Sequence, residues 1–407
     1  MTLDVALTGI NAASTELSTI ANNIANASTT GFKKSGVAFT DIYARSTFGA
    51  QRNAPGEGVN VSRINQDFSQ GGMEATGNNL DLAVEGLGMF QVTDQGTPMY
   101  TRDGSFGLDR NGFIVNAQGH RLNGYTTNEN AQIEPVIGEL KIEYSDLQPK
   151  ITENVTLGMN LDSSAEVLPA FDVSDPSTFN YSASATVFDS LGSEQVATLY
   201  VHKDAPNAWS GFLYVDGQEV SQPGGEELLF NTSGALDTVN GTPDRNFSSI
   251  LFTPASGAEP MALEFGIGEV TQYESAFGTN TLSQDGYSSG RLSNFDVDPT
   301  GVIFGRFSNG QSRTMGQVTL SNFANVQGMQ PQGGNAWVKT FASGEPVVGV
   351  PGSASLGLIQ SGSLEESNVD ITEELVAMIS AQRGFQASAQ VISTDDQLTQ
   401  TIMNLGR

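Results

Sequence analysis

Ala21-Asn22-Asn23-Ile24-Ala25-Asn26-Ala27-Ser28-Thr29-Thr30-Gly31-Phe32-Lys33 decides how the rest of the chain is read. The run closes an apolar helix, breaks it with amides and hydroxyls that compete for the backbone, and turns at a glycine. Upstream, apolar positions recur every seven residues: Leu3, Ile10, Leu17 and Ile24 form one row, and Ala6, Ala13, Ile20 and Ala27 the row three residues on. That is coiled-coil spacing, with small residues allowing close approach. At the far end a second apolar helix is predicted from Ile371 to Leu405. Its seam runs through Ile371, Leu375, Met378, Gln382, Phe385, Ala389 and Ile392, slips by one residue, and resumes at Leu398, Ile402 and Leu405. Asp370 or Ser367 is placed to cap it, with Glu373 and Glu374 in the favourable first turn.

Neither helix is expected to stand alone, because the apolar surface each can bury by itself does not offset the backbone entropy it loses. The two ends are expected to pair with each other or with copies in neighbouring subunits. That points to an assembling protein and away from an enzyme.

Composition narrows the classes further. A chain of 407 residues is long enough for two or three domains, and 46 glycines with only 15% charged residues suggest many turns between short strands. The net charge of −27, from 45 acidic against 18 basic residues, makes nucleic acid or an anionic membrane a poor partner. Without cysteine there is no disulfide, thiolate catalysis or cysteine metal site. No apolar run reaches the roughly 18 residues of a membrane span. A cleavable secretory signal is not expected either: Asp4 and Glu16 lie in the first helix, and no basic residue precedes Lys33.

Between the helices the pattern is β. Residues 78–125 alternate apolar runs with the turn signals Asp103-Gly104, Asn111-Gly112 and Gln118-Gly119. An internal echo relates Phe106-Gly-Leu-Asp109-Arg-Asn-Gly112-Phe-Ile114 to Phe295-Asp-Val-Asp298-Pro-Thr-Gly301-Val-Ile303, both read as hairpins. The expected fold is mixed. N- and C-terminal α-helices, 1–27 and 371–407, form a coiled-coil-like assembly domain, and 28–75 is an extended connector. Residues 76–149 and 283–370 form a middle β domain, with a second, acidic β domain, 150–282, inserted in it. Residues 151–282 carry 18 acidic residues against Lys203 and Arg245, a net of −16, which belongs on the solvent side of any assembly.

Catalytic constellations are sparse. Only His120 and His202 offer acid–base chemistry near neutrality. Gly286-Tyr-Ser288-Ser-Gly290 fits the nucleophile-elbow pattern, but no apolar strand precedes it, no helix follows and no histidine lies beyond it, so it reads as a turn. Asp296-Val-Asp298-Pro-Thr300-Gly301 opens like a calcium loop yet has Phe307 where a bidentate Glu is needed, so a hairpin turn is the reading. The pairs Glu226-Glu227 and Asp395-Asp396 read as solvated faces. No cofactor or metal is expected. The amides Gln382, Gln386 and Gln390 form a four-residue stripe on the last helix, read either as solvated surface or as an uncharged polar lining.

Together these segments resemble the bacterial flagellar axial rod and hook family. The resemblance rests on Asn11-Ala-Ala-Ser14, Ala21-Asn-Asn-Ile-Ala-Asn26, Thr30-Gly-Phe-Lys33, Gly77 to Val92 and Tyr100-Thr-Arg-Asp-Gly-Ser-Phe106. It continues through Gly316 to Asn325, Ala342 to Pro346, Gly362 to Asp370, Glu374 to Ile379 and Ala381-Gln-Arg-Gly-Phe-Gln386. Met89 stands where the family often has an aromatic, and the acidic insertion carries no signature. Rod members share both ends, but the outer insertion favours a hook-type subunit over a distal rod one, with an acidic secreted hydrolase as the reading from another class. The resemblance implies export through the flagellar type III apparatus and polymerisation into a flexible tube. It also implies an inner wall of terminal helices and, as neighbours, the distal rod, the hook cap and the hook–filament junction proteins.

Overall fold

The computed structural model describes residues 2–42, 56–128, 130–247 and 250–405. Helix α1, Thr2–Ala25, ends where the sequence turns from aliphatic to amide. There the Asn26 side-chain amide donates back to the Asn22 carbonyl (2.9 Å). Gly31 then adopts φ +66°, and a Cβ on it would lie 2.5 Å from the Asp103 amide nitrogen, so only glycine fits this turn. Helix α2, Ile371–Leu405, is capped by Asp370, whose carboxylate accepts from the amides of Thr372 (2.7 Å) and Glu373 (3.2 Å).

The expected connector is not simply extended. Strands Ser35–Asp41 and Val59–Gln66 pair antiparallel and pack on α1, and Met73–Ala75 pairs with Ser363–Glu365. The alternation Val37, Phe39 and Val59, Val61 gave the pairing its pattern, but the polar residues between the two runs hid it.

The chain divides into two compact units, Met1–Glu143 with Phe295–Gly305 and Arg313–Arg407, and Tyr144–Asn294 with Arg306–Ser312. In the first, one antiparallel path runs Arg121–Thr127, Met89–Asp94, Thr97–Thr101, Ala336–Val338, Gln330–Gly333. Its core includes Tyr100 edge-on to Phe323 (4.7 Å between ring centres), with Met89, Met329 and Trp337 beside them. The two echoed segments make the same turn. Asp109 accepts from the amides of Asn111 and Phe113 (both 2.8 Å), and Asp298 from those of Thr300 and Val302 (both 2.9 Å). Gly112 and Gly301 complete them with φ of +85° and +81°. One carboxylate oxygen thus ties down two amides across each hairpin.

The second unit stacks an antiparallel sheet, Tyr181–Phe188, Glu194–Ala205, Ala208–Val215, Glu226–Phe230 and Leu236–Val239, against a mixed one built on Asn154–Asp162, which pairs parallel with Met261–Ile267 and Thr271–Tyr273 and antiparallel with Gly278–Gln284. Trp209 is fully buried between them and donates its indole N–H to Gln272 (2.8 Å). Of the acidic residues in 151–282, only Asp189 and Glu226 are buried among those described, so most of this charge faces solvent.

This unit begins before residue 150 and ends after 282 because its two legs bind each other. Bridges join Leu147 to Gly290 and Lys150 to Tyr287. Asp285 seals them, accepting from the amides of Glu153 and Asn154 and from the Lys150 ammonium, all at 3.0 Å. Burial alone raises the Asp285 carboxyl, but the Asn154 amide, Lys150, the Glu153 amide and the Asn154 side chain outweigh it and hold it at about 2. A carboxyl held below its unfolded value of 3.8 contributes stability above that pH and loses it as pH falls to about 2. Melting temperatures of the wild type and Asp285→Asn therefore differ near neutrality and converge as pH drops through this window. A gap unchanged at low pH would remove the carboxylate from the account.

Candidate assembly surface

Helices α1 and α2 pack against each other within one chain. The contact uses small residues. Ala6, Ala12, Ala13 and Ile20 are buried on α1, and Ala381 and Glu374 on α2. A Cβ on Gly9 would come within 2.9 Å of the Ser388 hydroxyl, so the helices approach closely there. Asn23 is 1% exposed and closes the lower end of the contact. Its Nδ2 donates to the Ser35 carbonyl (2.8 Å) and to Glu374 (3.2 Å), and its Oδ1 accepts from the Ser35 amide (2.9 Å). One amide side chain thereby fastens α1, the first strand and α2. Above it a cleft of about 1080 Å³ opens between Val5, Ala6, Gly58, Val59, Ala387 and Val391.

Of the larger residues expected on the seam, only Ile20 is buried, together with Ala6 and Ala13 of its own row; Ile10, Leu17, Ile24, Met378 and Ile392 are half-buried. Leu3, Ile371, Leu375, Phe385, Leu398 and Ile402 are exposed, as are Gln382, Gln386 and Gln390, and the Leu405 side chain lies outside the described residues. The face of α2 turned to α1 is the row Glu374, Ala381, Ser388 and Asp395, not the row of large aliphatics. A single chain therefore pairs its small residues and leaves the bulky apolar ones outside.

Sequence reading missed the polar centre that holds these ends to the β body. Lys33 and Glu365 form an ion pair at 2.6 Å with both side chains wholly buried, and Arg102 joins the other Glu365 oxygen at 3.0 Å. The remaining valences are filled: Lys33 donates to the Ser69 carbonyl (2.7 Å), Arg102 to those of Val84 (3.1 Å) and Gly86, and the Gly71 amide donates to Glu365 (3.0 Å). Burial pulls the Lys33 ammonium below the usual lysine value although Glu365 pulls the other way, and the Arg102 guanidinium is lowered for the same reason. The sequence shows only that each residue sits in a different motif of a chain with few charges, which does not by itself say that the three charges are buried together.

The catalytic candidates resolve into structure. Gly286 and Gly290 stand where the two legs approach, with a Cβ at either lying 2.1 Å from the Thr152 hydroxyl or 2.6 Å from Asn309 Cγ. The Ser288 carbonyl accepts from Asn309 (2.6 Å). The His202 ring nitrogen Nδ1 lies 2.8 Å from the Thr178 carbonyl, and His120 contacts Asn116. Among the described residues, no group of three or more carboxylates and histidines is arranged to hold a metal ion.

Family models match four segments of the chain: flagella basal body rod protein over 3–33, flagellar hook protein FlgE/F/G D1 domain over 83–154, flagellar basal body protein FlaE D2 domain over 160–287 and flagellar basal body rod FlgEFG protein C-terminal over 360–405. Flagellar hook protein FlgE of Escherichia coli is 36% identical over 420 residues, covering all of both chains. Those of Salmonella typhimurium and Borreliella burgdorferi are 35% and 34% identical over 100% and 98% of this chain. The chain belongs to the flagellar hook protein FlgE family. It is a structural subunit of the hook, from a family of structural proteins and not of enzymes, and the hook reading stands over the distal rod one. Self-assembly into a flagellar polymer follows from that membership. A crystal structure of a Helicobacter pylori flagellar hook protein, FlgE2, shares the fold with a TM-score of 0.54 at 12% identity, over 70% of this chain and 99% of that one. Lys33, Arg102 and Glu365 each fall in a different matched segment.

Removing one member of a buried charge cluster costs far more than replacing the cluster as a whole. Glu365→Gln strands two buried cations and is expected to lower the stability of the first unit by about 3–5 kcal/mol. Lys33→Met leaves the Arg102–Glu365 pair intact and costs less. Denaturant melts of the three full-length proteins measure the order, and equal losses would mean the cluster does not act as a unit.

Proposed function

We propose that the hook built from this chain is a tube whose inner wall is α1 and α2, with the middle β domain outside it and the acidic domain at about 150–282 outermost. The observation that carries the reading is the exposed apolar row of α2. Leu398 is 58% and Ile402 68% exposed in the single chain, in a helix whose small-residue face is already used. Water-facing aliphatics along successive turns favour a further partner, and a homopolymer supplies the same partner to every subunit.

The subunit transmits motor torque while the tube bends, which requires tight contacts near the axis and sliding ones outside. Its most acidic region lies in the outermost layer, where like charges of neighbouring copies meet water and not each other. The chain leaves the cell through the flagellar type III apparatus without a cleavable signal. It meets the distal rod at its base, the hook cap during growth and the junction proteins toward the filament. Gln382, Gln386 and Gln390 line the channel as a neutral polar wall that does not hold passing unfolded chains.

Electron microscopy of purified polymer is expected to show curved tubes, and straight rods would contradict the hook geometry. Leu398→Asp places an unpaired carboxylate in the inner contact at a cost of several kcal/mol repeated at each addition. The expected outcome is an exported monomer with unchanged melting that accumulates in the medium and builds no hook. Hooks of normal length in this variant would put Leu398 on solvent. Converting the three glutamines to Leu is expected to preserve hooks but slow filament growth beyond them, and filaments of normal length would leave the stripe as solvated surface.

A further inference from the structure

From Thr314 to Leu364 the only charged residues are Lys339 and Glu345, although the chain as a whole carries a net −27. These two pair at 2.6 Å, so the stretch is neutral both overall and locally. Between them, at the tip of the loop that follows strand Ala336–Val338, stands Phe341. It is 105% exposed on the scale of a free side chain, so its ring rests on nothing of its own chain.

The loop under it is firmly built. The Thr340 hydroxyl donates to the Gly328 carbonyl and accepts from the amides of Ala342 (3.1 Å) and Ser343 (3.3 Å). Ser343 is 1% exposed; its hydroxyl accepts from the Thr340 amide and donates to the Thr340 carbonyl, both at 2.9 Å. Asn325 donates to the Ala342 carbonyl (3.0 Å), and Gly328 leaves room for no Cβ, which would lie 2.5 Å from the Ser343 amide. A loop fixed at every second residue cannot fold its aromatic down onto the protein.

We propose that Phe341 is an anchor that inserts into an apolar surface of a second copy of this chain. The inference rests on the polymeric function argued above. Copies of a strongly anionic chain repel wherever their charged surfaces approach, and a loop whose own two charges pair off adds little to that repulsion where copies meet. An aromatic held rigidly in place loses little entropy on docking, which is the character of a binding anchor. A knob that docks on a different surface of the next copy makes a head-to-tail contact, the kind that propagates along a polymer.

The test uses Phe341→Trp and Phe341→Ser in the full-length chain. Trp209 and Trp337 are already buried, at 0% and 3% exposure, so an indole at position 341 reports its own surroundings. On polymerisation its emission is expected to shift to the blue, while the wild-type spectrum stays unchanged. Phe341→Ser is expected to keep the monomer's melting temperature and to raise the critical concentration for polymerisation about tenfold or more. A benzoylphenylalanine placed at 341 is expected to crosslink to another copy within the polymer. Polymer formed with the indole still fully solvated, Phe341→Ser assembling at the wild-type concentration, or crosslinks only to a different protein would each overturn the anchor while leaving the hook function standing. A wild-type chain that forms no polymer would overturn both.

Discussion

Lys33, Arg102 and Glu365 meet where no water reaches them, and the rest of the first unit is arranged so that they can. A carboxylate that loses its hydration must recover it from fixed donors, and here an ammonium, a guanidinium and one backbone amide do so. A well-packed apolar trio would give comparable stability. What the charges add is register. An apolar side chain accepts many neighbours, whereas Glu365 is satisfied only when the turn after α1, the strand corner at Arg102 and the segment leading into α2 arrive together. Gly31 makes this geometry possible, since any side chain there would strike the backbone at Arg102 and Asp103. The conformational choice at one glycine and the charge pairing two residues away are parts of one constraint.

That constraint explains how two helices with weak claims to stability are held in place. Residues 33 and 365 are joined across nearly the full length of the chain, so α1 and α2 start from fixed points before they touch. Asn23 then binds α1 and α2 to the first strand, and the pairing is made mostly of alanines, with Gly9 against Ser388 and with Ile20 and Glu374 buried. The large aliphatics are not consumed in holding the chain together. Using small residues inside and keeping bulky ones outside divides folding from association: the first sets the scaffold, the second remains available for whatever covers α2.

The helices, their caps and the paired aspartate turns were legible in the sequence because each is written in local spacing. Seven-residue repeats, Asp370 ahead of a helix, and an Asp three residues before a Gly need no knowledge of the fold. The sheet on Ser35–Asp41 and Val59–Gln66 was not legible, since a polar stretch separates its strands. The ion cluster was hidden for a different reason. Lys33, Arg102 and Glu365 are distant in sequence, and a charged residue in a motif gives no sign whether it faces water or its opposite. Periodicity lays out apolar rows along a helix, but does not say which of two adjacent rows meets the partner within the chain. On α2 the row turned to α1 is Glu374, Ala381, Ser388 and Asp395, and the helices approach so closely at Ser388 that a Cβ on Gly9 would lie 2.9 Å from its hydroxyl.

The same size argument sets a limit on what the terminal helices can do without neighbours. Close approach through Ala and Gly buries little area per residue, so the pair gains modestly from the hydrophobic effect. The anchoring charges keep it in register but lie at its base, and the last turns of α2 extend well beyond them, with Leu398 and Ile402 in water. Stability along the two helices therefore falls with distance from the cluster, and each turn farther out depends more on contacts from outside the chain. On the proposed reading, the apolar row of α2 that is left in water is the one that meets the neighbouring subunit.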